Sequence, residues 1–542
     1  MLAYILIVVT IAIAVSSLAE KHGVQPALLV VMVGLVASFL PGIPQLDLPP
    51  EFILSIVLPP MLFSAARDFS FAEFRRRMGS IANLGIFLVF VSTFAVGLAS
   101  VEFLPGLLPV AALILGVVIA PPDAVTAISI GRRAGLPSNL MTVLKGESLI
   151  NDAAALTVFT ILVATASGTH AFIDNMPLYF LYAAALGIVI GLVIGNLAQW
   201  AHRWLSSPTL ATALSVVVPF AAYLSAEELH ASGILAVVAA GFAVGHHAVQ
   251  AGYQERMQEG AFWRTIDTLL ETFIFAYIGL QLRFVITDAD AAGFGALELT
   301  LATLGIFLAT VLVRFAWVFG SALVGRWRYR RVMAHMAQGR FKTFRGRVRP
   351  RPQPPLSWKE NLVLAWTGMR GVVTLAAAAG VPFVTAGGAP FPGREAIVAL
   401  AFLVTIATLL IQGLTLPLLI ARLDLEDPGH QRFVARQRKM AEKLVHDATD
   451  QALSDYAQTH PDQASARLVK LMRVRLTQET DLEKPRNIDT GAALELGKIL
   501  LETRRNRLVS ARDNMELDDT IVRDMLEKLD LEQAFMDSVT EG

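Results

Sequence analysis

The chain has 542 residues, 54% of them apolar and only 17% charged, with a mean hydropathy of +0.56; these values exclude a water-solvated globule for most of its length. Lys and Arg number 45, as do Asp and Glu, and this balance averages two unlike regions and selects no partner by itself. With no cysteine, disulfides, Cys-ligated zinc, Cys-ligated iron–sulfur clusters and thiol catalysis are all excluded.

Thirteen apolar stretches recur from the N-terminus to about residue 421, at approximately 1–18, 24–40, 52–66, 80–103, 108–130, 139–166, 177–200, 209–225, 231–249, 264–282, 298–323, 360–380 and 395–421. Each is long enough, or nearly so, to cross a hydrocarbon core of about 30 Å as a helix. Ser17-Leu18-Ala19 resembles a cleavage site, but no Lys or Arg precedes the first apolar run, so that helix is expected to be retained. Cations fall in alternate loops: Arg75-Arg76-Arg77, Arg132-Arg133, His202-Arg203 and the stretch from Arg326 to Lys359. The loops between them carry Asp47, Asp174, Glu227-Glu228, Asp288 and Asp290. Because cytoplasmic loops are enriched in Lys and Arg, the N-terminus is expected outside and the C-terminus in the cytoplasm. The ten Lys and Arg residues from Arg326 to Arg351 read as orientation and contact with anionic headgroups rather than as a nucleic-acid surface.

From about Asp424 the composition turns to mixed charge, with Phe433, Met440, Leu444 and Leu453 at helical spacing. The expectation is therefore an all-α protein in two parts. Residues 1–421 form a polytopic membrane domain, and 422–542 form a cytoplasmic helical tail with boundaries near Pro428, Pro461 and Pro485.

Ionisable side chains inside hydrocarbon cost several kcal/mol unless they face a cavity or a partner, which makes each a functional candidate. Four stand out: Asp123, Glu147, Asp152 and Arg370. Pro121-Pro122 removes two backbone donors beside Asp123 and should break the fifth helix there. In the twelfth stretch Arg370 stands between Gly368 and Gly371. If stretches 1–6 and 8–13 are inverted halves, the fifth and twelfth are equivalent, and interrupted helices near the midplane are where transporters hold ions. In the sixth stretch Glu147 and Asn151, and Ser148 and Asp152, are four apart, so two carboxylates, a hydroxyl and an amide lie on nearly one face. Such oxygen ligands suit a hard monovalent cation or a proton.

These residues resemble a known family, the monovalent cation:proton antiporters of the sodium/proton exchanger type, including its bacterial NhaP-like members. The resemblance covers roughly residues 1–421. It rests on APPDAV, GESLINDAAAL, GMRG, HASGILAVVAAG and IQGLTLPLL. It implies two inverted six-helix repeats around a linking helix, discontinuous crossing helices, and a homodimer in a plasma membrane, most simply a bacterial inner membrane. It implies that Asp152 binds the proton or Na+, with Asn151 its neutral neighbour and Asp123 and Ser148 completing the site. It implies an ion pair between Glu147 and Arg370, with support from Pro122, Thr126, Gly368 and Gly371. Two departures are Pro122-Asp123-Ala124, where more distant exchangers read Thr-Asp-Pro, and Lys145, where many relatives carry an acid.

The expected activity is electroneutral exchange of Na+ for H+ without a cofactor or catalysis. K+ and Li+ are not separated from Na+ by these residues. A K+/H+ antiporter of the same fold, a cation channel and a tail-signalling receptor are the competing readings.

Overall fold

The computed structural model describes residues 2–46, 49, 52–168, 173, 175–205, 207–248, 251–337, 355–425, 428–477, 490–514 and 516–541. Asp47, Asp174, Pro485 and the basic stretch from 338 to 354 lie outside the described residues. The described residues are helical throughout their regular structure, apart from one isolated antiparallel bridge between Val384 and Pro390.

Helices occupy all thirteen apolar stretches. They are α1 (Leu2–Lys21), α2 (Pro26–Ser38), α3 (Ile53–Arg67), α4 (Phe71–Ala82) continuing through a π-turn at Asn83–Phe87 into α5 (Leu88–Phe103), α6 (Pro109–Ile119), α7 (Ala124–Arg133) and α8 (Ser138–Ser167). There follow α9 (Met176–His202), α10 (Pro208–Glu228), α11 (Gly233–Ala248), α12 (Tyr253–Ala291), α13 (Ala296–Ala337), α14 (Trp358–Trp366), α15 (Val372–Ala379) and α16 (Arg394–Leu423). Eight of the described helices are long and apolar enough to cross a membrane, and α2, α3, α6 and α11 are shorter apolar helices.

Local chemistry sets the ends. Pro26, Pro109 and Pro208 open α2, α6 and α10, the position where a missing N–H costs nothing. Ser357 and Glu360 form a capping box at the start of α14, and Gly168 in the left-handed region closes α8. The 39 residues of α12 and 42 of α13 span about 59 and 63 Å at 1.5 Å per residue. Both exceed the apolar stretches read from sequence, because their polar ends continue the helix without adding hydropathy.

By contact the chain divides into two units, Met1–His202 with Leu214–Val244 and Trp263–Glu426, and Arg203–Ala213 with Gly245–Phe262 and Asp427–Gly542. The first is built around a continuous apolar core in which α8 packs against α4, α6, α7 and α15, and α16 packs against α6, α13 and α15. At the crossing of α2 and α12, a Cβ on Gly34 would sit 2.9 Å from the Gly279 Cα. Only glycine lets these backbones meet, which replaces hydrophobic drive with close packing. The second unit holds the four tail helices α17 (Pro428–Thr459), α18 (Gln463–Thr477), α19 (Thr490–Asp513) and α20 (Asp519–Glu541). Its cores gather around Leu508 and Val522, and around Leu453 and Leu496.

Candidate cation-binding site

Two helices of the first unit are interrupted, at 120–123 between α6 and α7 and at 367–371 between α14 and α15. Pro121 and Pro122 supply no donor, so the first helix stops and its last carbonyls must find other partners. They do so in the second break. Arg370 Nε donates to the Ile119 carbonyl at 2.7 Å, and its Nη2 to that of Ala120 at 3.3 Å. The guanidinium also reaches the Gly368 carbonyl, and the Arg370 N–H donates to Thr408 Oγ1 of α16 at 3.0 Å. A cation thus lies against the negative end of α6, where the helix dipole favours it. The two breaks are joined through the main chain, since the Asp123 N–H donates to the Met369 carbonyl at 2.7 Å.

The other half-helix has its own arginine. Arg314 of α13 donates from Nε to the Leu364 carbonyl in the last turn of α14, at 3.1 Å. Its two terminal nitrogens grip Glu147, Nη2 reaching Oε2 at 3.0 Å. The two side chains are 3% and 2% exposed, so this is a buried, two-pronged charge pair. The expected pairing of Glu147 with Arg370 is therefore corrected. Glu147 pairs with Arg314, and Arg370 spends its donors on backbone carbonyls. Arg314 went unnoticed in the sequence, although it is the lone charge in LATVLVRFAWVF and meets the criterion that singled out Arg370.

Asp123, Asn151 and Asp152 are all buried, at 9%, 0% and 4% exposure. Asn151 Nδ2 donates to the Pro122 carbonyl at 2.8 Å. Because a carbonyl only accepts, this bond orients the amide, and Oδ1 is left as an acceptor with no hydrogen-bond partner. Ser148, half-buried, is one turn before Asp152 on α8. Thr126 is fully buried on α7 with its hydroxyl unpartnered. Gly371 lies against Asp123: a Cβ there would fall 1.8 Å from Asp123 Oδ2. Gly368 makes room for Arg314, whose Cδ would be 2.8 Å from its Cβ. The structure thus brings Pro122, Asp123, Asn151, Gly371 and Arg370 together at one crossing, with Asp152 next in sequence to Asn151. The arrangement offers buried carboxylates and neutral oxygens, with both neighbouring cations already committed to other groups.

Comparison with known proteins agrees with this architecture. The family described as sodium/hydrogen exchanger, transmembrane, matches residues 5–422. An uncharacterized Na+/H+ exchanger of Mycobacterium tuberculosis is 30% identical over 533 residues, covering 95% of this chain and 92% of that protein. The Na+/H+ antiporter ApNhaP of Aphanothece halophytica is 29% identical over 453 residues, covering 81% of this chain and 79% of its own length. Among solved structures, the sodium proton antiporter MjNhaP1 of Methanocaldococcus jannaschii superposes with a TM-score of 0.59 at 19% identity, covering 78% of this chain and 99% of that one. That likeness establishes the shared fold.

Proposed function

This chain belongs to the sodium/hydrogen exchanger family, and from that membership and the crossing beside Asp152 we propose that it exchanges Na+ for H+ by letting the two compete for one buried carboxylate. Asp152 is the ion- and proton-binding group. Asp123, Ser148 and the Asn151 amide oxygen complete the cation's oxygen shell. Competition for a single acid couples the fluxes without a second site, because the empty, charged carrier is the state least able to change access.

One observation carries this reading. A buried aspartate adjoins an amide whose oxygen is held ready by a main-chain contact, at the meeting point of two interrupted helices. Within the Asn151-Asp152 pair only Asp152 titrates, and Glu147 is committed to Arg314; with Asp123 kept as a fixed ligand, exchange is one for one and electroneutral. The membrane part makes thirteen crossings as two inverted repeats. The protein works as a homodimer in a bacterial inner membrane, N-terminus outside and tail cytoplasmic; the alternation of loop charge supports this orientation.

The test is cation-driven proton flux in proteoliposomes, with Na+, Li+ and K+ compared at clamped voltage. Wild type is expected to exchange at a voltage-independent rate, and Asp152→Asn to lose exchange for every ion. Undiminished exchange by Asp152→Asn would reject the assignment.

A further inference from the structure

Threonine hydroxyls buried in apolar helices have a ready partner in the carbonyl one turn back. Thr93, Thr157, Thr310 and Thr405 all use it, donating to the residue four before at 2.7 to 2.8 Å. Among the described threonines, three hydroxyls are sealed from solvent with no hydrogen-bond partner: that of Thr303, a half-buried residue of the uninterrupted α13, and those of the two fully buried residues Thr126 and Thr374, at 0% and 1% exposure.

For the two fully buried residues the reason lies in the interruptions. The residue four before Thr126 is Pro122, whose carbonyl is taken by Asn151. The residue four before Thr374 is Arg370, which lies in the second break, and Gly371 after it has non-helical angles of φ −151° and ψ −137°. The ordinary carbonyl is therefore not presented to either hydroxyl. The two positions also match. Each is the third residue beyond the point where the breaks touch, Thr126 beyond Asp123 and Thr374 beyond Gly371. Three residues along a helix is nearly one turn, so Thr374 stands about one turn beyond Gly371, the N-cap residue of α15 that meets Asp123. Both α7 and α15 pack against α8, which carries Asp152 and the unpartnered Asn151 oxygen.

An unpartnered buried hydroxyl costs stability and is not kept for packing alone, since valine has the same shape without the cost. We propose that the Thr374 hydroxyl is a ligand of the transported cation, a neutral oxygen supplied by the second interrupted helix and matched by Thr126 on the first. The inference rests on the reading of Asp152 as the ion site. A neutral ligand favours the cation without favouring the proton. Losing it weakens cation binding and leaves the carboxylate's protonation in place.

The experiment compares wild type, Thr374→Val, Thr374→Ala and Thr374→Ser as full chains in proteoliposomes, measuring the Na+ dependence of proton flux at several pH values. In detergent, the rise in Tm on adding Na+ or Li+ is measured alongside. Thr374→Val is expected to raise KM for Na+ about tenfold, to move the acid limb of the pH profile to higher pH at subsaturating Na+, and to lose most of the Na+-induced rise in Tm. Its Tm without Na+ should equal or exceed wild type, and Thr374→Ser should restore KM. If neither Val nor Ala changes KM or the Na+ effect on Tm, or if Ser fails as they do, the hydroxyl is not a ligand. Should Val not fold, the Ala and Ser pair decides alone. Asp152→Asn run in parallel separates the two ideas: if it retains exchange, the site reading fails whatever Thr374 does.

Discussion

Glu147 and the two arginines near it show how buried charges divide between a side-chain partner and the main chain. Arg314 neutralises Glu147 and at the same time satisfies the Leu364 carbonyl, so removing it strands a buried carboxylate. Arg314→Ala is expected to lower stability by about 3–5 kcal/mol, seen as a fall in thermal unfolding temperature in detergent, and adding Glu147→Gln should recover much of the loss. Arg370→Ala removes donors from Ile119 and Ala120 instead, so Glu147→Gln should give it no recovery. That contrast separates the observed pairing from the one read in the sequence. The error has a plain cause. Sequence identifies a charge in hydrocarbon but not which of two arginines, 56 positions apart, comes round to face it. The acid proposed for the site was easier to single out, because Asp152, Asn151 and Glu147 belong to one helix, and helical spacing alone groups them. At the same scale, competition for Asp152 predicts that the apparent KM for Na+ rises about tenfold per pH unit on the acid limb, with the rate at saturating Na+ unchanged. Flux measurements at fixed pH and graded Na+ check this, and a fall in maximal rate with constant KM would contradict it.

Paired prolines act differently in two helices. Pro121-Pro122 ends α6, whereas Pro59-Pro60 lies inside α3, where the chain widens into a π-turn at Ile53–Val57 and the Leu58 N–H reaches back to the Ile53 carbonyl. A proline pair says that the backbone ladder must be altered, not how. What decides the outcome is which donors reach the freed carbonyls. Beside α6 stand Arg370 and Asn151; α3 resolves the problem within its own turn. The break at 120–123 was legible because Asp123 stood beside it. The π-turn of α3 was not, since its apolar neighbours carry no sign of it. Gly371 is the element-scale test of the crossing. With a Cβ only 1.8 Å from Asp123 Oδ2, Gly371→Ala must push the two breaks apart. A displacement near 1 Å at such a site costs about 100-fold in rate. Proteoliposome flux should fall by that order, while the protein still purifies as a folded membrane protein.

Each of the two units has an apolar core of its own, and their chemistries differ. In the first, burial is generous, and several buried polar atoms, among them the Asn151 amide oxygen and the Thr126 and Thr374 hydroxyls, have no hydrogen-bond partner. In the second, amphipathic helices close over modest cores, and charge pairs carry more of the specificity. Asp530, with its side chain 5% exposed, accepts from both Arg256 and Arg505, which ties α20 to α19 and to the start of α12. Because both arginines keep some contact with water, Asp530→Ala should cost about 2–3 kcal/mol, below the range for a fully buried pair. Limited proteolysis is expected to cut the tail faster in that variant, and unchanged cleavage would show the triad to be dispensable. Hydropathy ends the apolar stretches near residue 421, yet it gave no hint that 203–213 and 245–262 group with 427–542, because contact between distant segments leaves no trace in local composition. The link between the Asp123 amide and the Met369 oxygen has a consequence for evolution and engineering alike. Since both atoms belong to the polypeptide spine, replacing the side chain at 369 cannot sever them, and only proline at 123 deletes the donor. Inheritance can therefore vary the side chain at 369 without unpicking this suture, though not Gly371 beside it, and under the proposed exchange both interrupted helices would travel as a single body.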